Sequence, residues 1–231
     1  MLKPEEKWRF SYCQLFGVLL GGICEFGTSL CSILAFGKAA SNGINAGVAG
    51  VLIPLSGVIV SIASYFFFGE RMQIVQIVGL VVLLAGATLI VMYPAEDDET
   101  GDKASLSEIM IVLLLSLLIA VFLSFEILIS KTLAHRGVEG KYLGFGFLLS
   151  EGLLGTICLI IATIAGEGIF KASGEVFWMM MLGGLTGVIS ISLLQYSVSI
   201  GIAGIASSVF NTNVVFFTGL CFLFLDQALT V

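Results

Sequence analysis

Charge is what this sequence has least of. Only 11% of its 231 residues are Asp, Glu, Lys or Arg, while 58% are hydrophobic. Soluble domains carry about a quarter charged residues, so this composition cannot dress a water-facing globular surface. Histidine is nearly absent: His135 is the only one, and no ligand-type residues neighbour it. Five cysteines, Cys13, Cys24, Cys31, Cys158 and Cys221, all lie in apolar stretches, and no Cys-x-x-Cys pair occurs. They read as buried, unpaired thiols, with neither a disulfide nor a metal site. No ATP-binding motif is present, and neither is a glycosidase, protease or kinase constellation. The sequence therefore argues against an enzyme, calls for no cofactor and gives no sign of nucleic-acid binding.

The net charge of −6 is not spread over an acidic surface. Six of the sixteen acids fall between Glu96 and Glu108, a solvated loop rather than a charged face. The rest of the chain divides into long apolar segments. Seven read as membrane spans: 12–37, 42–68, 72–93, 108–133, 142–165, 175–199 and 202–225. Each exceeds the roughly 20 residues needed to cross the hydrocarbon. The first is too long, and too polar at its centre, for a signal peptide. Short alternating segments, the mark of a β-barrel, are missing. The fold class expected is an all-α polytopic membrane protein of about seven transmembrane helices. The acidic segment 94–107 separates residues 1–93 from 108–231.

Basic residues set the expected orientation. With the N-terminus in the cytoplasm, Lys3, Lys7, Arg9, Arg71, Lys131, Arg136 and Lys141 fall on the inner side. Lys38, Lys103 and Lys171 fall outside. Cytoplasmic enrichment of Lys and Arg favours this arrangement, with segment 94–107 non-cytoplasmic.

The second span opens with a stripe of small residues. Gly43, Gly47, Gly50, Pro54, Gly57, Ser61 and Ser64 recur at alternating spacings of 4 and 3, one face of a helix. Its other faces are apolar, so the stripe is expected to pack closely on a neighbouring helix, the first span in particular. An echo of this segment lies 157 residues on. Ala46-Gly47-Val48-Ala49 matches Ala203-Gly204-Ile205-Ala206, and Phe66, Phe68 and Glu70 match Phe222, Phe224 and Asp226 at an offset of 156. The two copies run in opposite directions through the membrane in the expected topology, an inverted repeat of the kind common in secondary transporters.

These residues resemble the EamA-type domain of the drug/metabolite transporter superfamily. The resemblance is carried by Pro54, by Gly69-Glu70-Arg71, by Gln76-Ile77-Val78-Gly79 and by Gly86. In the weaker second copy Asn211 stands near the proline position, and Leu225-Asp226-Gln227 replaces Gly-Glu-Arg. The family usually has ten spans in two inverted five-helix repeats. The resemblance implies that the seven spans here are its third to ninth, a partial pair of repeats. The first two spans and the last would then be missing: the sequence is a fragment or short gene product, the protein departs from the pattern, or a partner or second copy of the chain supplies them.

Ionisable groups within apolar spans mark candidate sites, because burying charge in lipid costs several kcal/mol. Glu25 lies about 20 Å along the first span at the helical rise of 1.5 Å per residue, on a polar stripe with Gln14, Gly17, Gly21, Thr28 and Ser32. That stripe reads as a cavity wall. Glu126 lies nearer the cytoplasmic end of its span, where a snorkelling pair with Lys131 is the competing reading; Glu151 is a weaker candidate. Ser190, Gln195, Ser207 and Asn211 add neutral polar groups able to bind a solute. Glu70 and Arg71, at a helix end, read as a loop anchor or an ion pair.

The function expected is gradient-driven transport of a small metabolite or organic cation, with Glu25 as a proton-coupling candidate. The alternative is a non-transporting membrane subunit or scaffold that keeps only the packing surfaces. Anionic substrates are disfavoured, since every Lys and Arg lies at a span end or in a loop, with Lys131 nearest the membrane interior. The charge bias makes the topology testable. A cysteine introduced at Ser105 should be labelled by an impermeant reagent from the non-cytoplasmic side, and one at Gly137 from the cytoplasm; reversed labelling overturns the orientation.

Overall fold

The structure is a computed structural model that describes residues 11–44, 46–50, 52–71, 74, 77–79, 81–82, 85–86, 105–165 and 174–211. It is an all-α polytopic membrane protein. Its helices are α1 (Tyr12–Ser41), α2 (Ala46–Gly50), α3 (Leu55–Phe68), α4 (Leu106–His135), α5 (Gly140–Ile164), α6 (Gly174–Ile200) and α7 (Ala203–Asn211). Among the described residues there is no strand. Five segments are long and apolar enough to cross a membrane: Tyr12–Ser41, Val48–Phe68, Leu106–His135, Gly140–Ile164 and Met181–Ile200. The span expected over 72–93, most of segment 94–107, and the second-copy residues Asn213, Phe222, Phe224 and Asp226 lie outside the described residues, as does Cys221.

Local chemistry explains the helix ends. Ser105 and Glu108 form a reciprocal cap on α4: the Ser105 N–H donates to Glu108 Oε2 at 2.8 Å, and the Glu108 N–H donates to Ser105 Oγ at 3.4 Å. This capping box starts the helix two residues before the expected span. At its other end Gly137 adopts φ +84°, and the Val138 and Gly137 N–H groups bond the carbonyls of Leu133 and Ala134, a Schellman closure. Gly43 closes α1 in the same way. It has φ +64°, and the Ile44 and Gly43 N–H groups reach the carbonyls of Ala39 and Ala40. Gly43 is thus the end of α1 and not the first member of a packing stripe; an added Cβ there meets nothing within 4 Å.

The second expected span is broken. α2 ends at Gly50 and α3 starts at Leu55, with Pro54 between them. Proline has no N–H and its ring obstructs the preceding turn. Bonds of the tighter i→i−3 type carry the chain across: Ile53 to Gly50, Leu55 to Leu52, Ser56 to Ile53 and Gly57 to Pro54, at 3.0–3.1 Å. The Leu52 N–H instead donates to Ser116 Oγ on α4, at 3.2 Å. A break inside a membrane span is sustainable only where protein satisfies the freed backbone groups, and α4 does so here.

The chain forms two compact units, one of Met1–Phe26 with Ile129–Ile200, the other of Gly27–Leu128 with Gly201–Val231. They do not follow the division at 94–107, because α1 and α4 each continue from one unit into the other. In the first unit Val18, Leu133, Val138, Leu143 and Phe147 make the core. Its α5–α6 seam has Gly140 against Ser199 and Tyr196, and Gly144 against Ser192, where an added Cβ would lie 3.1 Å from the Ser192 Cα. In the second unit Cys31, Ala35 and Ala39 of α1, Ala49 of α2 and Val112 and Ile119 of α4 make the core. There α3 meets α7 at Ser61 and Gly204; a Cβ on Gly204 would lie 3.2 Å from the Ser61 Cα.

The burial pattern corrects one sequence reading. Cys24 and Cys31 are buried, but Cys13 and Cys158 are exposed. Apolar surroundings in the sequence mean lipid contact as often as a protein core, and α5, with Phe145, Leu149, Leu153 and Ile160 exposed, is largely such a surface.

The seam yields a contrast within one helix. Gly144→Leu must displace the α6 backbone and should destabilise the protein by about 1–3 kcal/mol, as overpacking does. Gly152→Leu, with nothing within 4 Å of an added Cβ, should be near neutral. Thermal unfolding in detergent checks this, and equal behaviour of the two variants removes the seam.

Candidate functional site

The polar groups expected at the site separate once burial is known. Glu25, on α1 in the first unit, is 5% exposed; Glu126, on α4 in the second, is fully buried. Gln195 of α6 and Ser207 of α7 are also fully buried. Gln195 belongs to the first unit with Glu25, and Ser207 to the second with Glu126. Glu151 is only partly buried. Asn211 ends the described part of α7 and its side chain lies outside the described residues.

Ser190 does not join them: it is exposed on α6. The buried face of that part of α6 carries Leu194, Gln195 and Val198. At about 100° per residue, implied by 3.6 residues per turn, Ser190 sits about 140° away from Gln195. Both residues looked alike in a sequence whose α6 is apolar all round.

Part of the polar stripe around Glu25 is covered. A Cβ on Gly17 would meet Leu133 Cδ2 at 2.8 Å, and Gly21 and Gly22 lie against Phe147 and Ser150. Gln14 Nε2 donates to the Arg136 carbonyl at 3.1 Å, and Ser32 Oγ donates to the Thr28 carbonyl of its own helix at 2.7 Å. The glycines therefore admit neighbouring side chains and do not form an open wall. Glu25 remains a carboxyl group buried within an apolar helix.

The snorkelling alternative for Glu126 and Lys131 would put Lys131 at the membrane interface, and the structure buries it instead. It is 6% exposed, and its Nζ donates to the Val198 carbonyl of α6 at 3.4 Å. Beside it along α4, Ser130 is fully buried. The turn at Gly137 explains the difference: it brings the α5–α6 pair back over the end of α4, so Lys131 meets protein before it reaches water. The argument against anions rests on every Lys and Arg lying at a span end or in a loop; Lys131 is near its span's end but buried. The sequence signal that could have revealed this is Gly140-x-x-x-Gly144, a close-packing pattern. Starting the span at residue 142 divides it.

The small-residue stripe of the broken span is buried from Gly50 through Pro54, Gly57, Ser61 and Ser64. Gly47 lies in α2, its surroundings outside the described residues. The stripe meets α7 through Ser61, and Ser56, next to it on α3, meets α4. The Ser124 hydroxyl donates to the Ser56 carbonyl at 3.4 Å while bonding its own Ala120 carbonyl at 2.6 Å.

Glu70 has a definite task. Its Oε2 accepts the N–H of Ala203, the first residue of α7, at 3.1 Å. That N–H has no partner within the helix, and a carboxylate there also favours the helix dipole. Glu70 is therefore the loop anchor anticipated from its position.

The chain matches no family model, no curated protein and no solved structure.

The α7 anchor gives the next test. Glu70→Ala should cost about 0.5–2 kcal/mol, the range for losing an N-terminal cap, and Glu70→Gln, which keeps an acceptor, should cost less. Glu139→Ala removes an exposed ion pair with Lys141 and should stay within about 1 kcal/mol. Thermal unfolding of the three variants checks the order; an unchanged Glu70→Ala denies the anchor.

Proposed function

We propose that this protein is a gradient-driven membrane transporter of a small metabolite or organic cation, of the drug/metabolite type. One observation carries the reading: Glu25, Glu126 and Lys131 are all buried within apolar, membrane-length helices. Ionisable groups at such positions are costly, and their general use is in substrate or ion pathways. The discontinuous α2–α3 span supports it, since transporters build sites from broken helices. So does the start of α2 at Ala46 and of α7 at Ala203, the first residues of the two matched segments. In this reading Glu25 exchanges a proton as the site opens to either side, with Gln195 of the same unit as a solute-binding group.

A second reading has its own observation. Leu133 and Phe147 fill the space beside Gly17 and Gly21, which suits a packing subunit or scaffold as well as a transporter.

Uptake into proteoliposomes separates the two, using a panel of organic cations and neutral metabolites under an imposed pH gradient. At least one solute should accumulate, and Glu25→Gln should lower its gradient-driven uptake at least tenfold while the purified variant stays monodisperse. If no solute is taken up and none shifts the melting temperature, the scaffold reading stands. If uptake survives in Glu25→Gln, another group carries the coupling.

A further inference from the structure

A groove of about 510 Å³ lies in the second unit at the end of α3, lined by Ser61, Ile62, Tyr65, Phe66, Arg71 and Ile77. Its walls divide chemically along the helix. Ile62, Phe66 and Ile77 offer apolar surface and are 51%, 75% and 44% exposed. Arg71 stands just beyond Gly69, which ends α3 with φ +66°. Arg71 is exposed and makes no ion pair among the described residues. Ser61, at the other end of the groove, is 1% exposed, and its hydroxyl has no hydrogen-bond partner among the described residues.

We propose that this groove binds an anionic phospholipid, its phosphate on the Arg71 guanidinium and an acyl chain along Ile62, Phe66 and Ile77. The guanidinium presents planar paired donors that suit a phosphate. A soluble phosphate would use Arg71 but leave the apolar wall uncovered, whereas a phospholipid answers both halves. The length fits: Ile62 precedes Phe68, the last residue of α3, by six residues, about 9 Å along the axis at the helical rise. The groove therefore runs from the helix end, where a headgroup belongs, into hydrocarbon depth. The aromatic pair Tyr65–Phe66, with ring centroids 5.3 Å apart and planes at 81°, borders that edge. The charge bias of the sequence sets Arg71 on the cytoplasmic side, where anionic lipids concentrate.

The test is lipid retention on the purified full chain, read by native mass spectrometry after exchange into mixed micelles. The micelles carry equal phosphatidylglycerol and phosphatidylcholine of matched chains. Phosphatidylglycerol should be retained at least fivefold over phosphatidylcholine. Arg71→Gln should abolish that preference, Arg71→Lys should keep part of it, and Arg136→Gln, which removes an exposed charge elsewhere, should leave it intact. Millimolar inorganic phosphate should not displace the lipid. Equal retention of the two lipids, or an equal loss with Arg136→Gln, overturns the site. Displacement by inorganic phosphate overturns the lipid assignment by showing that the anion alone suffices.

Discussion

Helices in a bilayer gain little by hiding leucine from lipid, because the two environments are equally apolar. What draws helices together there is close contact between backbones, and only small residues permit it. The organisation of this chain follows from that constraint. Gly140 and Gly144 let α5 settle against Ser192, Tyr196 and Ser199 of α6; Gly204 lets α7 meet Ser61; Gly21 and Gly22 receive Phe147 and Ser150. Many other large apolar residues face outward, as Phe145 and Leu149 do on α5. Large apolar residues such as Phe147, Leu143 and Ile119 still fill the cores, but at these seams glycine and serine set how closely the helices approach.

Serine also meets the second demand of the membrane, that no backbone group go unpaired. Ser116 accepts the Leu52 N–H where Pro54 interrupts the second span, and Ser124 reaches the Ser56 carbonyl just beyond. Both lie on α4, so one helix serves both sides of the break. The same economy appears at α7, whose exposed amide is taken by Glu70 from the end of α3. A carboxylate that looks functional in sequence is, at that position, part of the connection between two helices.

Which parts could be read from the sequence follows from how the signals arise. Membrane-length helices are legible because hydropathy is summed over about 20 residues, and errors at single positions do not matter. Helix ends are less so, since each depends on one or two residues. Gly43 was grouped with a stripe because its spacing from Gly47 is helical, yet its positive φ ends α1. The Ser105–Glu108 capping box was visible in the sequence but was overshadowed by the acidic run before it. The facing of polar residues was hardest to read. Ser190 and Gln195 lie on one apolar helix with no amphipathic pattern to separate them, and only their neighbours make one exposed and the other buried.

Lys131 shows why charge position along a span is a poor guide to charge environment. It lies four residues from the end of α4, within reach of water for an isolated helix. The Gly137 turn and the close α5–α6 seam place the Val198 carbonyl where the ammonium would otherwise leave the protein. That carbonyl supplies one hydrogen bond toward offsetting the dehydration of the ammonium. Four residues from a helix end means water for an isolated helix and protein for this one, because what packs over the helix end decides where the charge lies.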